Sequence, residues 1–390
     1  MPPLPRRWEI VPPAPQAYIS ALPDVHPVIV QVLYSRNLTD PAEARAFLEK
    51  RPGPDNPFDL HDMHRAVNRI RRAIRQGEPI AVYGDFDADG VTATALLVRT
   101  LRALGANVRP YIPHRVQEGY GLNQRAVRKL AAAGIRLMIT VDCGIRSPHE
   151  IALARRLGMD VVVTDHHLVG GEPLEATAVV NPRQPSCPYP HKALAGVGLA
   201  YKLAQALLRV NQKVPLKNSA PLSEEDLLDL VALGTVADLV PLVGENRALV
   251  SGGLERLNRS PRPGIEALMR QAGLQPGKVD AWAVGYILAP RLNAPGRLEH
   301  ADLAYRLLMA EDPQEARLLA QELDTLNRRR QELTAEMQER ARDLVLKQQA
   351  DWPLFFIAEP EFPSGVLGLV AARLVEEFYR PAVIAERREV

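Results

Sequence analysis

Three carboxylates at alternate positions, Asp85, Asp87 and Asp89, stand in Gly84-Asp85-Phe86-Asp87-Ala88-Asp89-Gly90, directly after the short apolar run Pro79–Gly84. No Lys or Arg lies within the segment, and like charges this close resist ionising together unless a cation neutralises them. The segment reads as a metal-binding loop, against the plainer reading of a solvated turn. It opens like an EF-hand loop, which needs a bidentate Glu at its twelfth position. Counted from Asp85, that position is Leu96, so the EF-hand is excluded. A phosphotransferase nucleophile on a strand–loop–helix stays open on this segment alone.

Three further polar sites follow the same logic. Asp142 follows the apolar run Leu137–Val141, Asp165-His166-His167 follows Val161–Thr164, and Asp238 ends Gly234-Thr235-Val236-Ala237-Asp238. Alone, each has a plain structural reading: a helix cap, a surface or core histidine, a turn. Together, Asp85, Asp142 and His166 lie just past the carboxyl ends of expected parallel strands, where open α/β sheets bind ligands. Carboxylates mixed with imidazole suit Mn²⁺ or Mg²⁺ better than zinc. Five carboxylates and one or two imidazoles are too many for one ion and suit two ions sharing a carboxylate. Such a pair clamps both oxygens of a phosphoryl displacement.

The elements that would position these groups alternate in type. Expected strands are Pro79–Gly84, Val108–Ile112, Leu137–Val141, Val161–Thr164 and Ala178–Val180. Between them stand expected helices His64–Gln76, Val91–Leu104, Leu122–Ala133 and Pro148–Leu157. That alternation means βαβ units and a parallel sheet. Residues 1–60 are proline-rich, with one helical stretch near Asp40–Glu49 opened by an Asp cap and a Pro at the first helical position. After residue 195 the pattern is mostly helical. Asp312–Gln349 has no breaker and would span roughly 50–55 Å, a length that joins two lobes. Beyond it, a strand, a helix (Gly365–Tyr379) and a strand return to α/β. One such unit is too small to fold alone, so the chain is expected to be a catalytic core with the opening of a second domain.

Composition sets the class. The chain has 390 residues, 46% apolar and 24% charged, with a net charge of +2. That is an ordinary globular composition, and it excludes disorder, collagen and coiled coil as descriptions of the whole. Cys143 and Cys187 are the 2 cysteines, too few for a disulfide framework, which fits a reducing cytoplasm. The start, MPPLPRRWEIVPP, has no apolar core of a signal peptide, and no run of about 18 apolar residues predicts a membrane span. Lysines are few among the 48 basic residues, and the arginines that dominate suit bidentate phosphate contacts. The arginines from Arg65 to Arg75 read as a basic helix face, and Arg328-Arg329-Arg330 as mostly solvated. Aromatics are 5% of the chain, so base-stacking platforms are few; Tyr120 is a candidate.

The segments DFDADG, VDCG, DHH and GTVAD, in this order and spacing, resemble the motifs of the DHH phosphoesterase superfamily. Within it they resemble the RecJ family of bacterial single-strand-specific 5′→3′ DNA exonucleases. Tyr83-Gly84, Ile112–Gly121 (IPHRVQEGYG), Asn181-Pro182, Leu194–Gly198 (LAGVG) and Pro290–Arg297 (PRLNAPGR) carry the same resemblance along nearly the whole chain. It implies a parallel-sheet α/β domain over 61–245 behind an N-terminal segment, 1–60. It further implies a helical extension, 246–311, a long connecting helix, 312–349, and the start of a smaller α/β second domain of DHHA1 type, 350–390. The implied cofactor is two ions, Mn²⁺ or Mg²⁺. Asp85 and Asp87 would hold one ion, Asp89, His166 and Asp238 the other, and Asp142 would bridge. Asp85, Asp142 and His167 would be the catalytic set, His167 lying beside the scissile phosphate. Arg115, Tyr120, Arg291, Asn293 and Arg297 would face the substrate.

The implied activity is hydrolysis of single-stranded DNA from a 5′ end to 5′-mononucleotides in repair and recombination. Implied partners are single-stranded DNA, a single-strand-binding protein and a helicase, with no membrane. The alternative within the superfamily is a phosphodiesterase acting on short oligonucleotides or cyclic dinucleotides. Two departures stand out. Phe362-Pro363 replaces a usual Trp-His pair in the second lobe, removing an expected substrate-contacting histidine, and Pro295 stands where a small residue is usual.

Overall fold

The protein is described by a computed structural model over residues 8–50, 56–347 and 353–387. Strands β1 (Ile80–Tyr83), β2 (Val108–Tyr111), β3 (Leu137–Val141), β4 (Asp160–Thr164) and β5 (Ala178–Val180) form one sheet, ordered β2-β1-β3-β4-β5. Every pairing is parallel, with Ile80 opposite both Val108 and Leu137, and Leu137 opposite Asp160. Alternate residues face opposite sides. Ile80, Val82, Ile139, Val141 and Val162 enter one core, and Ala81, Tyr83, Met138, Val161 and Val163 a second. Both faces are therefore covered, which is why these strands read as continuous apolar runs. The strand order reverses between β1 and β3, and the crevice beyond the carboxyl ends of those two strands is where this topology binds ligands.

The helix after β1 spans Ala88–Ala103, three residues earlier than the sequence pattern predicts. Asp87 is its N-cap, its side chain accepting from the Gly90 amide at 3.0 Å. The acidic segment is thus a loop residue (Asp85), a cap (Asp87) and a first-turn residue (Asp89). The N-terminal segment holds two helices beyond the expected one, Gln16–Ser20 and Pro27–Ser35, beside Pro41–Glu49. Pro27 sits at the first helical position of its helix, where a missing N–H costs nothing; prolines there open helices rather than forbid them. These helices have their own small core of Tyr18, Leu22, Val30, Leu33 and Ala44. They join the body where Arg247 donates to the Phe47 carbonyl at 2.7 Å and lies 3.6 Å from the Phe47 ring centroid.

The expected basic face on His64–Gln76 is corrected by burial at Arg69 and Arg71, whereas Arg65, Arg72 and Arg75 are exposed. Arg69 is buried between Glu78 and Asp160, and Arg71 donates to the Val214 carbonyl. Arg69 ties the helix to the sheet at Asp160, and Arg71 ties it to the end of the helix Gly196–Lys213.

The connecting helix runs Pro313–Lys347; residues 348–349 of its expected span lie outside the described residues. Its first half buries Ala316, Leu319, Ala320, Leu323 and Asn327 on the main body. Each buried leucine contributes about 1.5–3 kcal/mol. Its second half gives Met337, Ala341 and Val345 to the core of the second lobe. There β6 (Phe355–Glu359) and β7 (Ala382–Glu386) pair in parallel around the helix Leu367–Phe378. A two-stranded unit needs such a helix to complete its apolar core. Phe362, the residue in place of the usual Trp, is a core residue of this lobe. No helix among the described residues is long and apolar enough to cross a membrane.

Candidate active site

Asp85 leaves the end of β1, Asp142 the end of β3, and His166 the end of β4, so three neighbouring strands deliver them to the switch-point crevice. Asp238 arrives from another layer, as the C-cap of the helix Leu228–Ala237 that packs on Ala88–Ala103. Three groups of potential ligand atoms result, each within 4.8 Å: Asp85, Asp87 and Asp142; Asp89, His166 and Asp238; and Asp142, His166 and His167. Asp142 is common to the first and third, and His166 to the second and third. His166 Nε2 lies 3.1 Å from Asp142 Oδ1 and 3.7 Å from Asp238 Oδ2.

Backbone geometry aims Asp142. Its φ is +60°, a left-handed conformation that non-glycine residues seldom take. Such strain costs on the order of 1–3 kcal/mol and persists only where surroundings enforce it. Gly196 leaves the room for it, since a Cβ there would lie 2.5 Å from Asp142 Cβ. The LAGVG segment is close for a second reason. It begins the helix Gly196–Lys213, whose Gly196 and Val197 amides donate to Asp89 Oδ2 and Oδ1 at 2.7 and 2.9 Å. A helix N-terminus thereby partly neutralises one carboxylate of the cluster.

The charge is only partly answered by protein groups. Burial, then the Asp87 carboxylate, pushes Asp85 up to about 8. Burial and Asp87 push Asp89 to about 7, and burial and Asp89 push Asp238 to about 7. Asp142 is raised well above the carboxylate range by burial and its acidic neighbours. Burial holds His166 below the usual imidazole value, so it offers neutral nitrogens. Asp85 Oδ1, Asp142 Oδ1 and both His166 nitrogens are buried without a hydrogen-bond partner. Orphaned buried carboxylate oxygens and an unpartnered imidazole acceptor, crowded together, are what a hard divalent cation would satisfy. The residues present therefore fit two such ions.

His167 faces the crevice differently. Its Nδ1 is 2.8 Å from Asp165 Oδ1, and that bond, ahead of burial, raises its basicity. Asp165 Oδ1 also accepts the His167 amide at 3.0 Å, and Oδ2 accepts the Ile145 amide at 2.9 Å. Burial alone would push Asp165 up, but the hydrogen bonds from His167 and Ile145 outweigh it and hold it below the usual value. Asp165 thus stitches the loop after β3 to the loop after β4. Sequence reasoning passed over it, although it stands first in the DHH triplet. The Tyr120 hydroxyl lies 3.2 and 3.3 Å from the two His167 ring nitrogens and donates to the Asp142 carbonyl at 3.4 Å. Tyr120 as a residue is 56% exposed, and its ring meets Phe86 edge-on.

The expected substrate-side residues divide. Arg115 stacks 4.4 Å over Phe86, close enough for its charge to lower Asp85. Arg297 is held down to about 10 by burial and then by Arg115 and Arg330. Its Nη1 donates to the Gly365 carbonyl at 3.2 Å, and a Cβ on Gly365 would fall 1.9 Å from the Arg297 carbonyl oxygen. Only glycine lets the second lobe come so close. Arg291 and Asn293 instead engage the protein: Arg291 donates to Asp324 on the connecting helix at 2.9 Å, and Asn293 Oδ1 accepts the Ala88 amide at 2.8 Å. Arg328 and Arg329 are exposed, as expected for that triplet, whereas Arg330 turns inward with its Nε buried and unpartnered. Helical spacing held the signal, because Arg330 continues the face of the buried Leu323 and Asn327.

Comparison with known proteins shows the family of the chain. The sequence model of the DHH family, N-terminal domain, matches residues 79–235. The single-stranded-DNA-specific exonuclease RecJ of Bacillus subtilis is 44% identical over 381 residues, covering 97% of this chain and 47% of that protein. The protein of the same name from Escherichia coli is 42% identical, over 83% of this chain and 58% of its own length. A crystal structure of exonuclease RecJ bound to manganese superposes with a TM-score of 0.74 at 38% identity, over 84% of this chain and 80% of that one. The Thermus thermophilus RecJ in complex with Mn²⁺ superposes with a TM-score of 0.81 at 35% identity, over 97% of this chain and 54% of that one. The chain spans about half the length of the curated relatives it matches.

Proposed function

This chain belongs to the RecJ family of the DHH superfamily, and from that premise we propose that it hydrolyses single-stranded DNA from the 5′ end to 5′-mononucleotides in a metal-dependent reaction. The observation that carries the reading is the set of three ligand groups joined through Asp142 and His166 at the switch point of the sheet. In this reading Asp85 and Asp87 hold one ion, Asp89, His166 and Asp238 hold the other, and Asp142 touches both. Mn²⁺ or Mg²⁺ bound there supplies an acidified water and neutralises charge on the phosphodiester.

The remaining chemistry belongs to side chains. Arg115, Arg297 and Arg330 offer guanidinium forks to phosphate oxygens. Their mutual repulsion in a half-buried place is what an anion would relieve. Asp165 holds the proton on His167 Nδ1 and leaves Nε2 to face the leaving oxygen, as a phosphate contact or an acid. Asn293 keeps the acidic loop seated, and Arg291 anchors the connecting helix; both act through other residues. Tyr120 offers an exposed ring to a base. The setting is the cytoplasm, in DNA repair and recombination, with a single-strand-binding protein and a helicase as partners.

A long 5′-labelled single strand tested against a dinucleotide decides between this reading and its alternative. Release of labelled mononucleotide from the earliest times, with duplex resistant, is the expected result. Preference for the dinucleotide would select the short-oligonucleotide or cyclic-dinucleotide phosphodiesterase instead. For Asp165→Asn, kcat is expected to fall about 10²-fold or more with KM little changed, because a misplaced proton disables the base or acid it orients. A wild-type kcat in a folded Asp165→Asn chain would remove Asp165 from the mechanism.

A further inference from the structure

Lys202 is wholly buried on the helix Gly196–Lys213, and its ammonium is salt-bridged to Glu245, which is 3% exposed. The Tyr189 hydroxyl donates to Glu245 Oε2 at 2.6 Å, and Lys202 Nζ lies 5.8 Å from the Tyr189 ring centroid. The next residue, Asn246, is also fully buried. Its Nδ2 donates to the Ala193 carbonyl at 2.6 Å and to the Pro241 carbonyl at 3.1 Å.

Stability alone does not account for such a pair. A buried ion pair replaced by apolar groups of similar volume is often no less stable, because desolvation offsets the attraction. What distinguishes this pair is where its ties lead. Lys202 belongs to the helix whose first amides hold Asp89. Ala193 lies three residues before Gly196, and Pro241 three residues after Asp238. One corner, at the start of the helix Gly244–Arg259, therefore grips both segments that bring Asp89 and Asp238 together.

We propose that Lys202, Glu245 and Asn246 form a positioning clamp that sets the spacing of Asp89 and Asp238. The proposal rests on the reading of Asp89, His166 and Asp238 as one ion's ligands. An apolar pair would fill the same volume without directing either segment, since hydrophobic contact is not directional. Hydrogen-bonded groups behind metal ligands commonly change metal affinity about 10–100-fold when removed.

Calorimetric titration of the metal-free 390-residue chain with Mn²⁺ tests the clamp. Wild type should take up two ions. The double variant Lys202→Met/Glu245→Gln removes both charges and keeps an acceptor for Tyr189. It should unfold at nearly the wild-type temperature, with one binding step weakened about 10–100-fold and the other unchanged. Both steps at wild-type affinity, or both weakened alike, would overturn the proposal. Should that variant fail to fold, Asn246→Ala carries the same expectation of one weakened step and the same two overturning outcomes. A wild-type chain that takes up fewer than two ions overturns the clamp together with the ligand assignment beneath it, and is recognised without any variant.

Discussion

Asp142→Ala is expected to abolish Mn²⁺-dependent release of mononucleotides, with kcat falling at least ~10³-fold, equivalent to about 4 kcal/mol of transition-state stabilisation. Asp142 shares one ligand group with Asp85 and Asp87, and its Oδ1 lies 3.1 Å from His166 Nε2 of the other proposed set, so its removal should damage both proposed ion positions at once. A loss confined to one position, as for Asp238→Ala, should be partly overcome by raising the Mn²⁺ concentration; the Asp142 loss should not. The same substitution should leave the metal-free chain at least as stable as wild type. Asp142 is buried against Asp89, Asp87 and Asp85, so its removal relieves carboxylate crowding. Turnover within tenfold of wild type would refute its shared position. A lost activity accompanied by a lower unfolding temperature would point to misfolding instead.

The second large effect is on stability against pH. In the folded, metal-free chain Asp85 titrates near 8 and Asp89 and Asp238 near 7, against about 4 when unfolded. The folded state therefore keeps protons that the unfolded state releases. The stabilisation this gives is full below about pH 4 and is lost as pH rises through 7 and 8. His167, raised by Asp165, adds in the same direction; Asp165, which is lowered, acts only below the usual carboxylate range. Each pH unit by which a carboxyl is displaced is worth about 1.4 kcal/mol. The unfolding temperature in chelator should then fall by at least ~5 °C between pH 6 and pH 9. Mn²⁺ should reverse that fall, because an ion that binds only the folded state stabilises it by mass action. A flat or rising profile in chelator would mean that the carboxylates are not crowded as described.

Much of the site was legible because its residues sit at strand ends. A buried parallel strand announces itself as a short apolar run, and the polar residue after it marks the ligand-binding edge. Asp85, Asp142 and His166 were found that way, as were β3 and β5 to the residue. The long helix was legible because nothing in Pro313–Lys347 breaks a helix. The short helices near the N-terminus were missed because proline looks like a breaker until its place in the first turn is known.

Other features had no local signature. Arg291, Asn293, Arg297 and Arg330 are similar polar residues on helices, yet Arg291 and Asn293 tie distant segments together while Arg297 lies close enough to Arg115 and Arg330 to be repelled by them. Arg69 and Arg71 read as a basic face and are buried in ion-paired and hydrogen-bonded places. Whether an arginine meets a carboxylate, a carbonyl or solvent depends on elements far away in the chain, which periodicity does not report.

The amino-acid sequence by itself determined the α/β alternation, the acidic loop, the order of the motifs and hence the family. These rest on local pattern: period, capping and the cost of placing like charges together. Only the tertiary structure decided that Asp89 is held by the first amides of a helix more than a hundred residues away, that Asp165 ties two loops together and that Gly365 lets the second lobe touch Arg297. Those are close approaches between distant segments. Close packing settles them because each contact has room for one arrangement of neighbours, and that room does not exist until the elements have come together.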